Sequence, residues 1–433
     1  MEHAEQSRAN EAPPGTGDTT RGGGTIERLI ERVCGLDVHK QTVAACVRVL
    51  GSKGTREHVQ TFGTTAAELL ALRDWLEAHE VIHVAMESTG VYWKPIYYVL
   101  EERFTCLLVN AAHVKQVPGR KTDVQDCMWI AQLLEHGLLR GSFVPPAPIR
   151  ELRDLTRYRK VLIQDRTREA NRLHKLLEDA GIKLASVAID ILGVSGRAML
   201  EALVRGTTDP EVLAELARGK LRAKLPALRQ ALRGRFRPHH AFLVSQLLAH
   251  LDYVDETITT LSERIEEVIG PFADELARLD TIHGVARRTA EVLIADFGVD
   301  MSQFPSDRHL ASWAGLCPGN NESAGKHKSG KTRRGNRWLR AALTEAALAA
   351  IRTSNSAFTA RYRRIMRHRG HKKAVLAVAH AMLVTAYHVL ARQTTYQELG
   401  ADYFDRRHGE RVTRRAVQLL ERQGYRVTLE RAA

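Results

Sequence analysis

The chain has 433 residues, 44% hydrophobic and 26% charged, a composition that excludes a disordered or collagenous protein and is too long for one ordinary core, so two or three domains are expected. Its 64 Lys and Arg against 50 Asp and Glu leave a formal charge of +14, a surplus that favours a polyanionic partner, most commonly nucleic acid. The five cysteines (34, 46, 106, 127 and 317) form no C-x-x-C pair, which argues against a disulfide framework or a zinc site and fits reduced thiols in a cytoplasmic protein.

Residues 1–25, rich in Gly, Thr, Pro and charge, are expected to be a disordered tail without a signal-peptide core. From Val33 the pattern turns to strands. CGLDVH and TVAACVRVL are apolar and β-branched, and the polar HKQ between them predicts a hairpin, with a third strand near 56–62. TTAAELLALRDWLEAHE has helical spacing. IHVAME and TCLLVN are short strands around a helical WKPIYYVLEER, and TDVQDCMWIAQLLEHG is a further helix. An antiparallel meander followed by alternating helices and strands predicts an α/β domain with a ribonuclease H-like, RuvC-like mixed sheet over 26–145.

VPPAP at 144–148 marks a boundary. Beyond it lies a cationic helix over 150–180 carrying Arg153, Arg157, Arg159, Lys160, Arg166, Arg168 and Arg172. A later helix has a heptad seam of Val244, Leu247, Leu251, Val254, Ile258, Leu261, Ile265 and Val268, ended by Gly270-Pro271. That predicts an all-α coiled-coil region over 150–275, its seam serving either a dimer or a contact between the two long helices. LDTIHGVARRTAEVLIADFG, near the start of an α-helical domain over 276–405, resembles half of a helix-hairpin-helix, in which Gly284 would let backbone amides approach a phosphate. Three helices are expected near 336–352, 356–367 and 371–392. The apolar run at 374–391 contains two His and a Thr and is read as a buried helix, not a membrane span. The segment 406–433 is expected to hold a basic helix packed on the surface.

Four acids stand out. Asp37 interrupts an apolar strand, which is costly unless something positive meets it. Glu87 ends another strand. Asp123 and Asp126 lie three apart at a helix start, where a capping box (Thr122, Gln125) and the helix dipole would also explain them. Brought to one sheet edge, four carboxylates can hold two magnesium ions, which activate an attacking oxygen and stabilise a leaving one. Downstream, 315–340 reads GLCPGNNESAGKHKSGKTRRGNRWLR, with seven Lys or Arg and no acid between Lys326 and Arg340. It is either a basic loop that holds nucleic acid or one in which a serine does chemistry.

GLDVHK, AMESTGVYW and GRKTDVQD, in this order and spacing, resemble the DEDD site of RuvC-like nucleases. More closely, they resemble the DEDD transposases of a bacterial insertion-sequence family, the bridge-RNA-guided recombinases. LASWAGLCPGNNESAGK and SGKTRRGNRWLR resemble the second half of the same family, so the resemblance covers about 33–405. It implies a transposase that cleaves and rejoins DNA strands. Asp37, Glu87, Asp123 and Asp126 would be metal ligands for two magnesium ions, with manganese as a substitute. A serine would form a covalent phosphoserine link to DNA. The family spacing places that nucleophile at Ser323; Ser329 is a local look-alike six residues on. Lys121, Lys326, Lys328, Lys331, Arg333, Arg334 and Arg337 would contact the nucleic-acid backbone, and His39, Lys40 and Arg120 flank the acids. The implied partners are element-end and target DNA, a structured guide RNA, and further copies of the chain in a dimer or tetramer joined through the coiled coil. No membrane is implied, and the expected location is the cytoplasm, on the nucleoid. A metal-only RuvC-like nuclease and a non-catalytic nucleic-acid scaffold are the alternatives.

Overall fold

The structure, a computed structural model, describes residues 29–51, 54–88, 90–110, 125–319, 321–323, 326–332, 335–403, 406 and 409–430. The chain divides into two units, with the break after Val144.

The first unit is a mixed sheet. β1 (Arg32–Val38), β2 (Thr42–Gly51) and β3 (Gly54–Gly63) form an antiparallel meander. β4 (His83–Glu87) lies parallel to β1, β5 (Thr105–Val109) lies parallel to β4, and a two-residue β6 (Gly141–Ser142) closes the edge antiparallel to β5. The order β3-β2-β1-β4-β5-β6 is that expected of a ribonuclease H-like sheet.

Side chains alternate across the sheet and sort into two cores. Cys34, Leu36, Val38, Val84 and Met86 pack with α1 (Ala66–Ala78) and α2 (Trp93–Leu100) on one face. Val33, Cys46, Ala85 and Val109 pack with Cys127, Ile130, Ala131 and Leu134 of α3 (Gln125–Glu135) on the other. Both faces are covered, which is why β1 and β2 read as nearly unbroken apolar runs.

Among the described residues the second unit is helical apart from one hairpin. α4 (Ala147–Asp179) and α8 (Pro238–Ile269) lie antiparallel. Arg166 bonds Asp255 at 2.5 Å, while His240 meets Asp179 at 3.1 Å near the far end. The heptad seam of α8 is buried against α4 of the same chain, so the two long helices satisfy each other. Buried positions on α8 are Val244, Leu248, Leu251, Val254, Ile258, Ile265 and Ile269; Leu247, Leu261 and Val268 are only half-buried. The buried stripe drifts off the strict heptad because an unsupercoiled helix repeats every 3.6 residues, not 3.5. Between the pair, α5 (Val194–Val204), α6 (Pro210–Glu215) and α7 (Leu225–Ala231) bury Met199, Leu203, Leu213 and Leu228 over one end of the long helices.

α9 (Ala273–Asp280) and α10 (Arg287–Phe297) follow, then α11 (Asp307–Trp313), a hairpin, α12 (Arg337–Ala350), α13 (Ala357–Arg369) and α14 (His371–Ala391). By length and composition α14 could cross a membrane, yet half of its apolar window is buried inside the unit. Val378, Met382, Leu383 and Ala386 form its core face. Gly284 lies in the α9–α10 turn with φ +85°, and a Cβ there would stand 2.4 Å from the Ala346 carbonyl oxygen. Close packing on α12 and the positive φ both call for glycine at this turn. The last helix, α15 (Gly409–Arg422), is not packed down as expected; Leu419 and Leu420 are exposed.

Candidate functional site

Asp37 and Glu87 belong to neighbouring parallel strands whose register pairs Leu36 with Met86. Each acid follows its paired residue, so both stand at the carboxyl ends of adjacent strands. Leu36 and Met86 point into the α1–α2 core; alternation puts Asp37 and Glu87 on the opposite face, the one covered by α3. α3 carries Asp126 in its first turn, half-buried. Cys127 reports on both acids. Burial pushes its thiol up, and the charges of Asp37 and Asp126 push it further.

Gly35 is what lets α3 lie this close. A Cβ on Gly35 would stand 2.2 Å from the Cys127 carbonyl oxygen and 2.4 Å from the Ala131 nitrogen. The other end of α3 is fixed by charge. Buried Arg48 on β2 bonds Glu135 through Nε at 2.9 Å and also Glu57 of β3, and Thr55 donates to Glu135 at 3.1 Å. His39, expected to flank the acids, sits with Nε2 3.1 Å from an Asp37 carboxylate oxygen. Lys40 is exposed. Arg120, Lys121, Thr122 and Asp123 lie outside the described residues, as does the expected capping of this helix.

The donor set, carboxylate oxygens at the open end of a sheet, has the hard chemistry that magnesium and manganese prefer. Among the described residues no three His, Cys, Asp or Glu side chains close into a metal-binding group. Asp37, Glu87 and Asp126 thus supply compatible oxygens on one face without forming a preassembled cage.

In the helical unit the basic loop expected around the two serines is a β-hairpin. β7 (Asn321–Ser323) pairs antiparallel with β8 (Lys326–Ser329), with Ser323 opposite Lys326, Glu322 opposite His327, and Asn321 opposite Ser329 across an irregular register. The stem continues through a Pro318–Thr332 bridge and a 2.9 Å bond from the Gly319 amide to the Lys331 carbonyl. Two residues separate Ser323 from Lys326 in the sequence, and β-pairing joins the strands on either side of them. Ser323 therefore borders the hairpin tip, whereas Ser329 lies in the stem. Of the expected backbone contacts, Lys331 and Arg337 are exposed, and the Arg337 guanidinium stacks 4.7 Å from the Trp338 ring centroid. Lys326 and Lys328 occupy β8; Arg333 and Arg334 lie outside the described residues. Asn336 caps α12 by accepting from the Trp338 and Leu339 amides at 3.0 and 3.2 Å.

The cationic helix α4 proves to be structural. Arg153 and Arg157 meet Asp296, Arg159 meets Glu291, Lys160 meets Glu345, and Arg166 meets Asp255. Arg168 and Arg172 pair with Asp165 and Glu169 on α4 itself. A cavity of about 260 Å³ beside Trp338 is walled by the paired Arg157, Arg159 and Lys160 and also by the exposed Arg288. A second cationic stretch runs from α13 into α14. It carries Arg361, Arg363, Arg364, Arg367, Arg369, Lys372 and Lys373 without an acid between 357 and 373.

Two family profiles match the chain. One, described as a transposase and built on the IS110 DEDD enzymes, matches residues 34–182; the other, the IS116/IS110/IS902 transposase family, matches residues 276–363. Together they span more than half of the chain, which belongs to the IS110/IS116 family of transposases and is an enzyme of DNA recombination. Among curated relatives, the transposase for insertion sequence element IS1111A of Coxiella burnetii is 26% identical over 67% of this chain and 72% of its own length. The pilin gene-inverting protein of Moraxella bovis is 23% identical over 84% of this chain and 97% of its own. A putative transposase of Sinorhizobium fredii is 25% identical over 83% and 88%.

Proposed function

We propose that this protein moves an insertion sequence by cutting and rejoining DNA through two sites, a carboxylate site in the sheet unit and a serine in the helical unit. The observation that supports it most is the register: Asp37 and Glu87 end adjacent parallel strands on the face that receives Asp126. The helix dipole accounts for Asp126 alone, and acids placed on one face at a sheet edge repel one another unless a cation is shared. Asp123 completes the set by its place in the sequence.

Asp37, Glu87, Asp123 and Asp126 would hold magnesium or manganese. A divalent cation there supplies Lewis-acid stabilisation of charge on the phosphoryl oxygens. His39, against Asp37, orients that carboxylate and lends positive charge when protonated. Ser323, at the hairpin tip, attacks a DNA phosphorus. One phosphodiester P–O bond breaks, one Ser323 Oγ–P bond forms, and the serine proton ends on the departing deoxyribose hydroxyl. The exchange conserves a phosphodiester, so a strand hydroxyl can later reverse it and join new ends. Lys326, Lys328, Lys331, Arg333, Arg334 and Arg337, with Lys121 from the sheet unit, hold backbone phosphates. A structured RNA supplies target choice by pairing, and a dimer or tetramer brings two ends together.

Strand cleavage on element-end DNA tests the carboxylate half. Asp37→Ala and Glu87→Ala are each expected to lower magnesium-dependent cleavage by at least ~100-fold, with chelation of the metal having the same effect on the unaltered protein. Cleavage that survives both substitutions removes the metal assignment.

A further inference from the structure

We infer that the outer surface of α13 and the first turn of α14 form a docking surface for the backbone of duplex DNA. Residues 357–373 hold seven Lys or Arg and no acid. Arg363, Arg364, Arg367 and Arg369 are exposed on α13, and Lys372 and Lys373 are exposed just past Gly370, whose φ of +77° reverses the chain. Arg363 and Arg367 are i,i+4 neighbours on one helix face, where like charges destabilise the helix. His371, Lys372 and Lys373 occupy the first turn of a 21-residue helix that has no side-chain cap. Cations at that end oppose the helix dipole.

Such conflicts are normally relieved by carboxylates, and the same unit shows how. Every cation singled out on α4 has an acid partner. By contrast, Arg363, Arg367, Arg369, Lys372 and Lys373 have no carboxylate within 4.0 Å among the described residues. A surface that accumulates unrelieved positive charge at a cost to its own helices is built for an anion from outside.

The kind of anion follows from what surrounds the cations. α13 has 13 residues, a row of about 20 Å, the rise of about six base pairs. Of the aromatic side chains in 357–373, Phe358 is buried and Tyr362 is half-buried with its hydroxyl 2.8 Å from His371 Nδ1, so no exposed Phe, Tyr or Trp offers the platform on which single strands stack. Residues 363–373 contain no Asn, Gln, Ser or Thr either, which removes the adenine readers and most 2′-hydroxyl partners and leaves Arg and Lys, whose commonest nucleic-acid partner is the phosphate. Contact with duplex phosphates is the use that such a surface fits. The buried side of α13 holds the surface rigid. Glu398 accepts from the Ala357 amide at 2.7 Å and from Ser356 Oγ at 3.1 Å, tying the helix start to the segment that follows α14.

This inference rests on the proposed reading that DNA is the helical unit's substrate, and its test avoids catalysis. Full-length protein is titrated in chelator with a labelled element-end duplex, at a series of salt concentrations. Arg363→Gln/Arg367→Gln/Lys372→Gln is expected to weaken binding at least ~10-fold and to lower the salt slope by about 2 to 3, near 0.9 for each lost phosphate contact. A control that removes three paired cations, Arg222→Gln/Arg229→Gln/Arg264→Gln, is expected to stay within about twofold of the parent. Each single substitution, at an exposed site, is expected to lower the slope by about 1, which keeps the test open if the triple variant misfolds. An unchanged slope, an equal loss in the control, or a loss confined to a folded RNA while duplex binding persists would overturn the inference. Failure of Asp37→Ala to affect cleavage would leave this result untouched.

Discussion

A methyl group on Gly35 would press on the α3 backbone at two points, 2.2 and 2.4 Å away. Neither the Cys127 carbonyl nor the Ala131 amide can swing aside as a side chain could, so α3 must lift. Gly35→Ala is expected to cost about 1 to 3 kcal/mol, the usual range for overpacking, and to lower cleavage further by displacing Asp126 from Asp37 and Glu87. Chemical denaturation and a cleavage assay on the folded variant check the two parts separately. Arg48 presents the opposite kind of residue. Glu135 is 1% exposed, and without the guanidinium its charge is left uncompensated. Arg48→Ala is expected to destabilise by about 3 to 5 kcal/mol, and Arg48→Met/Glu135→Leu by much less, because the double change removes the buried charge as well. An Arg48→Ala protein as stable as the parent would contradict this. Neither residue announced its role in the sequence. Gly35 looks like one glycine in an apolar strand, and Arg48 like a surface cation at a strand end; each gains its meaning from a helix some ninety residues away.

At the scale of elements, the sheet was largely legible because its strands are apolar, short and separated by polar turns. The pairing of Asp37 with Glu87 was implied once β1 and β4 were parallel neighbours. The hairpin at 321–329 was not legible. Its Gly, Asn and Lys content is that of a loop, and pairing over so few residues depends on the Pro318–Thr332 stem below it. The role of α4 was also hidden, since a helix rich in arginine looks the same whether its partners are phosphates or distant carboxylates. The two sheet cores carry a pH signature. Burial pushes Cys34 well above the usual thiol range, and burial pushes Cys46 up to about 12 from 9.0. These groups favour the protonated fold, so their contribution to stability is whole below pH 9 and is lost as pH rises from 9 towards 12. Denaturant midpoints should fall across that window, and Cys46→Ala should flatten the fall. A midpoint constant to pH 11 would show that the thiols stay solvated.

For the whole molecule, the two halves of the proposed chemistry reside in separate units, with Asp37, Glu87 and Asp126 in the sheet unit and Ser323 in the helical one. The heptad seam, read as serving either a dimer or a contact between the two long helices, is taken up within the chain by α4, so the proposed assembly would need other surfaces. The exposed α15, with Leu419 and Leu420 uncovered, is the more available element. Deleting residues 409–433 is therefore expected to shift the protein towards smaller species in sedimentation, while Val254→Ala should instead lower the stability of the chain itself by about 1 to 3 kcal/mol. No shift on deletion would return assembly to the remaining faces. The central claim concerns a bond. Element-end DNA is incubated with the protein, magnesium and RNA transcribed from the element flank, and protein-linked DNA is isolated under denaturing conditions and mapped by mass spectrometry. The link is expected at Ser323, absent in Ser323→Ala and retained in Ser329→Ala. Full strand exchange by Ser323→Ala, with no protein-linked DNA from the parent, would contradict it.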